Sequence, residues 1–286
     1  MPVLLAILAA ACFGIGGVFV RKGVHASNTY TGAIVNITVN SLVLLPFGIP
    51  YLFSIHFAPA ALLIFVLIGF FVPTISRFLA VAGIERIGVS RSQAVVATSP
   101  LFSILLAIGL LGERPSPLIL LGAFSIVAGL ILLSQNRAGE QMWRKKDLIY
   151  PLGAGLLFSG RDVVAKVGLT QGVPPILGGA VAATTSAVFL WILRGMFHKQ
   201  GTLYCDRKSF WNLVASGFFW GLSYLFSYSA LEAGDVAVVT PLIYSAPLFS
   251  AFLSMIFLKD LETVTLRVIL GAVLVVSGGI GIAMGR

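Results

Sequence analysis

Charged residues are scarce in this chain. They make up only 10% of its 286 residues, whereas 58% are hydrophobic, and a soluble domain carries roughly 25% charged residues. A water-soluble fold of this length could not bury so much apolar surface in its core. The composition therefore excludes a soluble protein and favours a bilayer as the solvent, where the backbone groups must bond to one another.

Cysteine and histidine are also rare, which excludes several kinds of chemistry. The two cysteines, Cys12 and Cys205, make no disulfide framework. The three histidines, His25, His56 and His198, form neither an HExxH motif nor a metal-ligand cluster. A P-loop and a Gly-x-Ser-x-Gly nucleophile motif are absent too. We predict that the chain is not an enzyme and uses no metal or cofactor.

Acidic residues number 10 against 19 basic ones, which gives a net charge of +9. The basic residues lie at the ends of apolar stretches rather than along a stripe, so a nucleic-acid partner is excluded. Most of them fall in the loops that follow odd-numbered stretches. The positive-inside rule then predicts that these loops are cytoplasmic and that both termini face outward from a plasma or inner membrane.

The apolar stretches are long and lack period-2 alternation, which predicts helices rather than a barrel. Each is close to the ~20 residues that cross a hydrocarbon core. Asp235 is well placed to cap the ninth stretch. We predict an all-α integral membrane protein with ten transmembrane helices, at 2–20, 31–53, 59–82, 90–111, 117–134, 148–167, 174–193, 210–230, 236–258 and 263–284.

The two halves of the chain repeat. Residues 99–103 (SPLFS) match residues 246–250 (APLFS), and the same offset pairs Glu113 with Asp260. Because each unit holds five helices, an odd number, the second unit should enter the membrane in the opposite sense. Inverted repeats are typical of carriers, with the substrate site at the repeat interface. The predicted units are 1–135 and 148–286, joined by a basic linker at 136–147.

The repeated motifs carry a family resemblance. Pro100, then Leu111-Gly112-Glu113-Arg114, then Leu121-Gly122-Ala123 with Gly129 resembles the EamA unit of the drug/metabolite transporter (DMT) superfamily. The second half departs from the pattern at Leu258-Lys259-Asp260, where the family usually has a Gly-Glu pair. The resemblance covers the whole chain. It implies a membrane carrier, often an exporter of amino acids or other metabolites, with a central cavity between the halves.

Three charged residues lie well inside the predicted helices, towards the bilayer centre, where each would cost about 2.5–3.5 kcal/mol. Arg77 is predicted to grip a substrate carboxylate, although it could also snorkel to the interface. Arg161 and Asp162 are helix neighbours about 100° apart, so we do not expect them to pair. Asp162 is expected to reach Lys166 instead, unless it binds a substrate amine or a coupling proton.

Polar and aromatic residues are the further candidates for the cavity wall, although most such residues in membrane helices join helices to each other. The predicted lining residues are Trp220, Tyr224, Tyr228, Tyr244, Asn36, Asn40 and Thr98. Pro100 and Pro247 occupy matched positions and are predicted hinges. Gly14, Gly16 and Gly17 permit either a bend or close helix packing, and we assign them a gating role.

These features predict a secondary transporter that moves a small metabolite by alternating access, with export of an amino acid or organic anion as the leading hypothesis. The alternative is a proton-coupled exporter of cationic or neutral drug-like compounds, with Asp162 as the proton site. An integral membrane enzyme and a channel are weaker alternatives. The expected partners are the lipid bilayer and the substrate, and the oligomeric state is not encoded in any recognisable pattern.

Overall fold

The computed structural model describes residues 1–24, 27, 29–54, 59–87, 92, 95–134, 144–196, 203–257 and 266–285. The side chains of several helical residues in these ranges, that of Arg77 among them, lie outside the described part. The helices are α1 (Pro2–Val24), α2 (Thr29–Ser54), α3 (Pro59–Ile87), α4 (Ser99–Leu106), α5 (Pro117–Ser134), α6 (Ile149–Thr170), α7 (Pro175–Met196), α8 (Arg207–Ala233), α9 (Val236–Ile243), α10 (Ala246–Phe257) and α11 (Leu266–Met284). A π-helical turn, Ala107–Leu111, continues α4.

The described residues lie in helices, turns and short irregular connections, apart from one isolated β-bridge between Ser27 and Cys205. The prediction of an all-α protein is therefore confirmed. Four described helical segments are long and apolar enough to cross a membrane by length and composition: Pro2–Val20, Thr31–Phe53, Lys145–Thr170 and Pro175–Met196. The number of membrane spans stays a prediction.

The most extensive helix contacts join one half of the chain to the other. Helix α1 packs on α8 and α10, and the equivalent helix of the second half, α6, packs on α3 and α4. Similarly α2 contacts α8 while α7 contacts α3, and the pairs α2–α7 and α5–α11 are their own equivalents. Exchanging the two halves thus maps each of these contacts onto another of them or onto itself. The core forms between the repeats rather than within each one.

Two predicted helices are interrupted at matched positions. The ninth was predicted as continuous over 236–258, and this is wrong because α9 ends before a turn at Tyr244–Ser245. The fourth, predicted over 90–111, has the equivalent turn at Ala97–Thr98. Each turn lies just before a proline, Pro100 or Pro247. Proline has no N–H, so a continuous helix would lose a backbone hydrogen bond there, and proline is favoured in the first turn of a helix, which is where α4 and α10 begin.

The same hydrogen bonds close both turns. The hydroxyl of Thr98 donates to the carbonyl of Val95, and the hydroxyl of Ser245 donates to the carbonyl of Leu242, each at 2.6 Å. The backbone N–H groups of Thr98 and Ser245 bond to the same two carbonyls at 3.1 and 3.2 Å. Groups that a broken helix would leave unsatisfied in an apolar medium are therefore satisfied locally.

Candidate functional site

A buried ion pair lies on α6. Arg161 donates from Nε and Nη2 to Oδ1 of Asp162, at 2.9 and 2.7 Å. The Asp162 side chain is only 2% exposed and that of Arg161 15%. The expectation that these neighbours do not pair is wrong, because it considered only the directions of their Cα–Cβ bonds. The long arginine side chain folds back across the helix and reaches the carboxylate.

Lys166 does not contact Asp162, contrary to the sequence-based expectation. Its Nζ donates to the carbonyl oxygens of Leu231 at 2.6 Å and Gly234 at 2.8 Å, at the end of α8. The last carbonyls of a helix have no partner within it and carry partial negative charge, so they attract a cation. Lys166 therefore stabilises the end of α8 and leaves Asp162 to Arg161.

Tyr244 supplies the second contact to the carboxylate. Its hydroxyl donates to Oδ2 of Asp162 at 3.0 Å. Tyr244 caps the carboxyl end of α9, so the break in the predicted ninth helix is what places its side chain over the ion pair. With two bonds from Arg161 on Oδ1 and one from Tyr244 on Oδ2, both oxygens of Asp162 are satisfied.

Helix α8 contributes an aromatic wall beside the pair. Nη1 of Arg161 lies 3.4 Å from the hydroxyl of Tyr224, and its Cζ lies 5.5 Å from the centre of that ring. Tyr228, one turn further on, meets Tyr224 edge-on with 5.9 Å between the ring centres, and Phe65 lies 5.7 Å from Tyr228. The structure thus brings together the predicted residues Arg161, Asp162, Tyr224, Tyr228 and Tyr244.

The hydroxyl of Tyr228 is buried and has no hydrogen-bond partner among the described residues. Tyr228 itself is only 1% exposed. A buried hydroxyl without a bond costs free energy of about 1–3 kcal/mol, so Tyr228 is a candidate for a hydrogen bond to a ligand. We call Arg161, Asp162, Tyr224, Tyr228 and Tyr244 the central cluster.

Other predicted lining residues make contacts between or within helices. Asn36 donates to the hydroxyl of Ser216 at 2.6 Å, which joins α2 to α8. The Trp220 ring stacks on Phe13 of α1 at 4.8 Å, and its Nε1 donates to the Phe13 carbonyl at 3.2 Å. The Thr98 hydroxyl closes the turn before α4. Asn40 is 4% exposed, and its Oδ1 has no partner among the described residues.

The predicted hinge residues lie at close contacts. A Cβ on Gly14 would lie 2.7 Å from Cβ of Phe249, and one on Gly17 would lie 3.3 Å from Oγ of Ser250. A Cβ on Gly16 would clash with the Trp220 ring. These glycines let α1 approach α8 and α10 closely, and their gating role stays a prediction, as does that of Pro100 and Pro247. Arg77 lies in α3, and its side chain is outside the described part.

Glu113 is a residue whose contacts the sequence analysis missed. Its carboxylate accepts hydrogen bonds from the backbone N–H groups of Val236 at 2.7 Å and Ala237 at 2.9 Å, at the start of α9. Asp235 was predicted to cap this helix, and this is wrong because its side chain makes no capping bond. The one signal for Glu113 in the sequence is its acidic repeat partner, Asp260, since a shared acid at the end of a matched helix indicates a shared task.

The fold and this cluster define a class: a two-repeat, multi-helix membrane protein with a buried charged cluster in its second repeat. The model of the EamA-like transporter family matches residues 1–135 and 146–284, and the chain belongs to this family. The family is part of the DMT superfamily, so the resemblance noted in the sequence is confirmed. The protein is a multi-pass membrane protein and a transporter of the DMT type, and the family's members are transporters rather than enzymes.

The structural comparison supports the fold. A solved structure described only as "Crystal structure of protein" superposes with a TM-score of 0.82, covering 99% of this chain and 96% of its own. The two sequences are 17% identical, so the likeness concerns the fold alone. No curated protein matches the chain.

Proposed function

We propose that this transporter carries a small zwitterionic metabolite of the amino-acid class by alternating access, in the direction of export, and that the central cluster is its binding site. The observation that carries the proposal is the buried Arg161–Asp162 pair. Opposite charges side by side match a ligand that bears a carboxylate and an ammonium on neighbouring atoms. The carboxylate of such a ligand would replace Asp162 on Arg161, while its ammonium would bond to Asp162.

Charge balance favours a zwitterion over a simple organic anion. An anion that took Arg161 would leave Asp162 buried without a cation, and an uncompensated buried charge costs about 3–5 kcal/mol. When a zwitterion binds, two ion pairs replace the one between Arg161 and Asp162: its carboxylate pairs with Arg161 and its ammonium pairs with Asp162. The unbonded hydroxyl of Tyr228 offers one further donor, and the rings of Tyr224 and Phe65 offer an apolar surface for a ligand side chain.

A second candidate rests on the contacts of Asp162 itself. A cationic compound would displace Arg161 from Asp162, and protonation of this carboxylate would release the compound. The Tyr244 hydroxyl bonds to Asp162 at 3.0 Å and would keep the carboxylate oriented during the exchange. This candidate is a proton-coupled exporter of cationic or neutral drug-like compounds.

Three ligands that share the same side chain distinguish the candidate functions: L-phenylalanine, its deaminated acid 3-phenylpropionate and its decarboxylated amine phenethylamine. A ligand that binds only the folded protein increases the free energy of unfolding by mass action, by about 2.7 kcal/mol at a ligand concentration of 100 times Kd. The melting temperature rises accordingly. We expect the amino acid alone to stabilise the purified protein and the shift to vanish in Asp162→Asn. The same comparison with L-leucine and its two analogues tests whether the ring matters.

The matched control is Arg86→Gln. Arg86 and Asp147 form another Arg–Asp pair, at 3.4 Å, but the Arg86 side chain is 51% exposed. This variant should keep the ligand shift. Stabilisation by the amine alone would favour the cationic candidate, whereas stabilisation by the acid alone would restore the organic-anion hypothesis. Counterflow of the stabilising ligand in proteoliposomes then tests whether binding leads to transport.

A further inference from the structure

We infer that Glu113 is a positioning residue: it latches the first repeat onto the start of α9 and thereby holds Tyr244 against Asp162. The inference does not depend on which ligand the central cluster takes. It concerns a contact between the two repeats and its effect on a side chain one helix-length away.

The first step is the contact itself. Glu113 follows the π-helical turn that ends α4 and the left-handed residue Gly112, whose φ is 68°. This sharp exit directs the Glu113 side chain from the first repeat to the second, where it accepts two backbone hydrogen bonds at 2.7 and 2.9 Å. A carboxylate at a helix N-terminus is favoured both by the unsatisfied N–H groups and by the helix dipole.

The second step is the helix that Glu113 holds. Helix α9 has eight residues, all of them buried, so it is about 12 Å long at 1.5 Å per residue. It packs against α1, α4 and α5 of the first repeat. Glu113 bonds to its first two N–H groups, and Tyr244 caps its other end. A displacement of this short helix therefore moves Tyr244 relative to Asp162.

The third step is the attachment of the preceding loop. Lys166 bonds to the carbonyls of Leu231 and Gly234, and so ties the α8–α9 loop to α6 of its own repeat. Glu113 ties the next residues, Val236 and Ala237, to the other repeat. The segment is thus held from both repeats at once. Separation of the repeats on this face requires the Glu113 bonds to break.

A cysteine at position 245 reports on this latch without any ligand. Ser245 is 6% exposed and follows Tyr244 directly. The background carries Cys12→Ala and Cys205→Ser. In it we expect Glu113→Gln to raise the rate of maleimide labelling of Ser245→Cys about tenfold, because the state in which α9 is detached from the first repeat becomes more populated. The side-chain oxygen of glutamine can accept a hydrogen bond from one of the two N–H groups. Its NH₂ group is a donor and cannot accept a bond from the other. Glu113→Asp keeps the charge on a shorter side chain and should give an intermediate rate.

Ser103→Cys is the matched control reporter. Ser103 is fully buried on α4 in the first repeat, so general loosening of the protein would expose it as well. The inference predicts faster labelling at 245 with an unchanged rate at 103. Equal acceleration at both positions would mean that Glu113 merely stabilises the fold, and no acceleration at either would mean that it is no latch. Both results overturn the inference.

Tyr244→Phe tests the connection to the central cluster. If Glu113 acts through Tyr244, this variant alone should also accelerate labelling at 245, and adding Glu113→Gln should multiply the rate by less than it does in the parent. Independent effects would multiply fully, which would contradict the positioning role. Should Glu113→Gln fail to fold, Glu113→Asp enters the same cycle and the same criteria apply.

Discussion

The contact between α5 and α11 and the central cluster show what the two repeats share and what they do not. In the α5–α11 contact, a Cβ on Gly122 would lie 2.6 Å from the carbonyl oxygen of Gly278, and a Cβ on Gly129 would lie 2.6 Å from that of Gly271. The equivalent residues of the two repeats make equivalent contacts here. In the central cluster the equivalence fails. When Arg21 at the end of the first helix is aligned with Lys166 at the end of its repeat partner, Gly16 and Gly17 stand where the second repeat has Arg161 and Asp162.

The difference separates two requirements. Close approach of two helix backbones needs the absence of a side chain, and both repeats meet it with glycine. A binding site for an asymmetric ligand needs different groups on its two sides, so equal residues in both repeats would not serve it. The repeats are therefore alike where they pack on each other and differ where the ligand is proposed to bind.

The largest expected effect comes from breaking the ion pair. Asp162→Ala leaves Arg161 buried without its partner and should cost about 3–5 kcal/mol of stability. The double variant Arg161→Met, Asp162→Leu removes both charges and should cost much less. Melting temperatures of the purified proteins check this. An equal loss in the single and double variants would show that packing, and not charge, stabilises the cluster.

The next effect tests whether the α5–α11 contact is symmetric. Gly129→Ala and Gly278→Ala are equivalent changes in the two repeats, and each forces two backbones apart. Overpacking of this kind costs about 1–3 kcal/mol, so both should lower the melting temperature, by similar amounts. Gly160→Ala on α6 is the control, since a Cβ there has no neighbour within 4 Å. A large difference between the equivalent changes would contradict the symmetry.

A smaller effect distinguishes two tyrosines of the central cluster. Tyr244→Phe removes the hydrogen bond to Asp162 and should cost about 1–2 kcal/mol. Tyr228→Phe removes a hydroxyl that bonds to nothing in the described structure, so it should leave the melting temperature unchanged or raise it. If Tyr228 binds the ligand, the same change should weaken the ligand-induced shift. A destabilised Tyr228→Phe would reveal an unseen partner for its hydroxyl.

The smallest effect lies outside both regions, at Asp206 before α8. Its side chain accepts a hydrogen bond from the N–H of Ser209 at 2.9 Å. The hydroxyl and the N–H of Ser209 hold the pKa of this carboxyl below its ordinary value. A lowered pKa means that the contribution to stability is present above the ordinary value, about 4, and is lost as the pH falls through the lowered one. Asp206→Ala should lower the melting temperature slightly, and equally at pH 6 and pH 8.

The sequence predicted the helices and the repeat well because both rest on local patterns. Apolar stretches of the right length mark helices, and matched motifs such as SPLFS and APLFS mark the repeat. The broken ninth helix was missed although Pro247 was recognised. A proline shows that a backbone bond is lost, but not whether the helix bends or stops.

The residues of the central cluster were all named from the sequence, but the hydrogen bonds among them were predicted wrongly. Arg161, Asp162 and the three tyrosines were identified because charged and aromatic groups are conspicuous in apolar helices. Their pairing depends on the length of each side chain and on other hydrogen-bond partners elsewhere in the chain. Lys166 bonds to carbonyl groups at the end of α8, and the spacing of residues within α6 could not reveal this contact. Glu113 was missed as a cap for the same reason, since its partners lie in the other repeat.

The packing of one half against the other also has a consequence in time. Helix α1 rests mainly on α8, which begins at Arg207. At about 5–20 residues per second, the ribosome needs roughly 10–40 s to make the chain between them. During that interval the glycines of α1 lack the partners that they contact on α8 and α10 in the finished protein. The first half thus completes its packing only after the second has been made, and we expect a chain truncated near its midpoint not to fold as half a transporter.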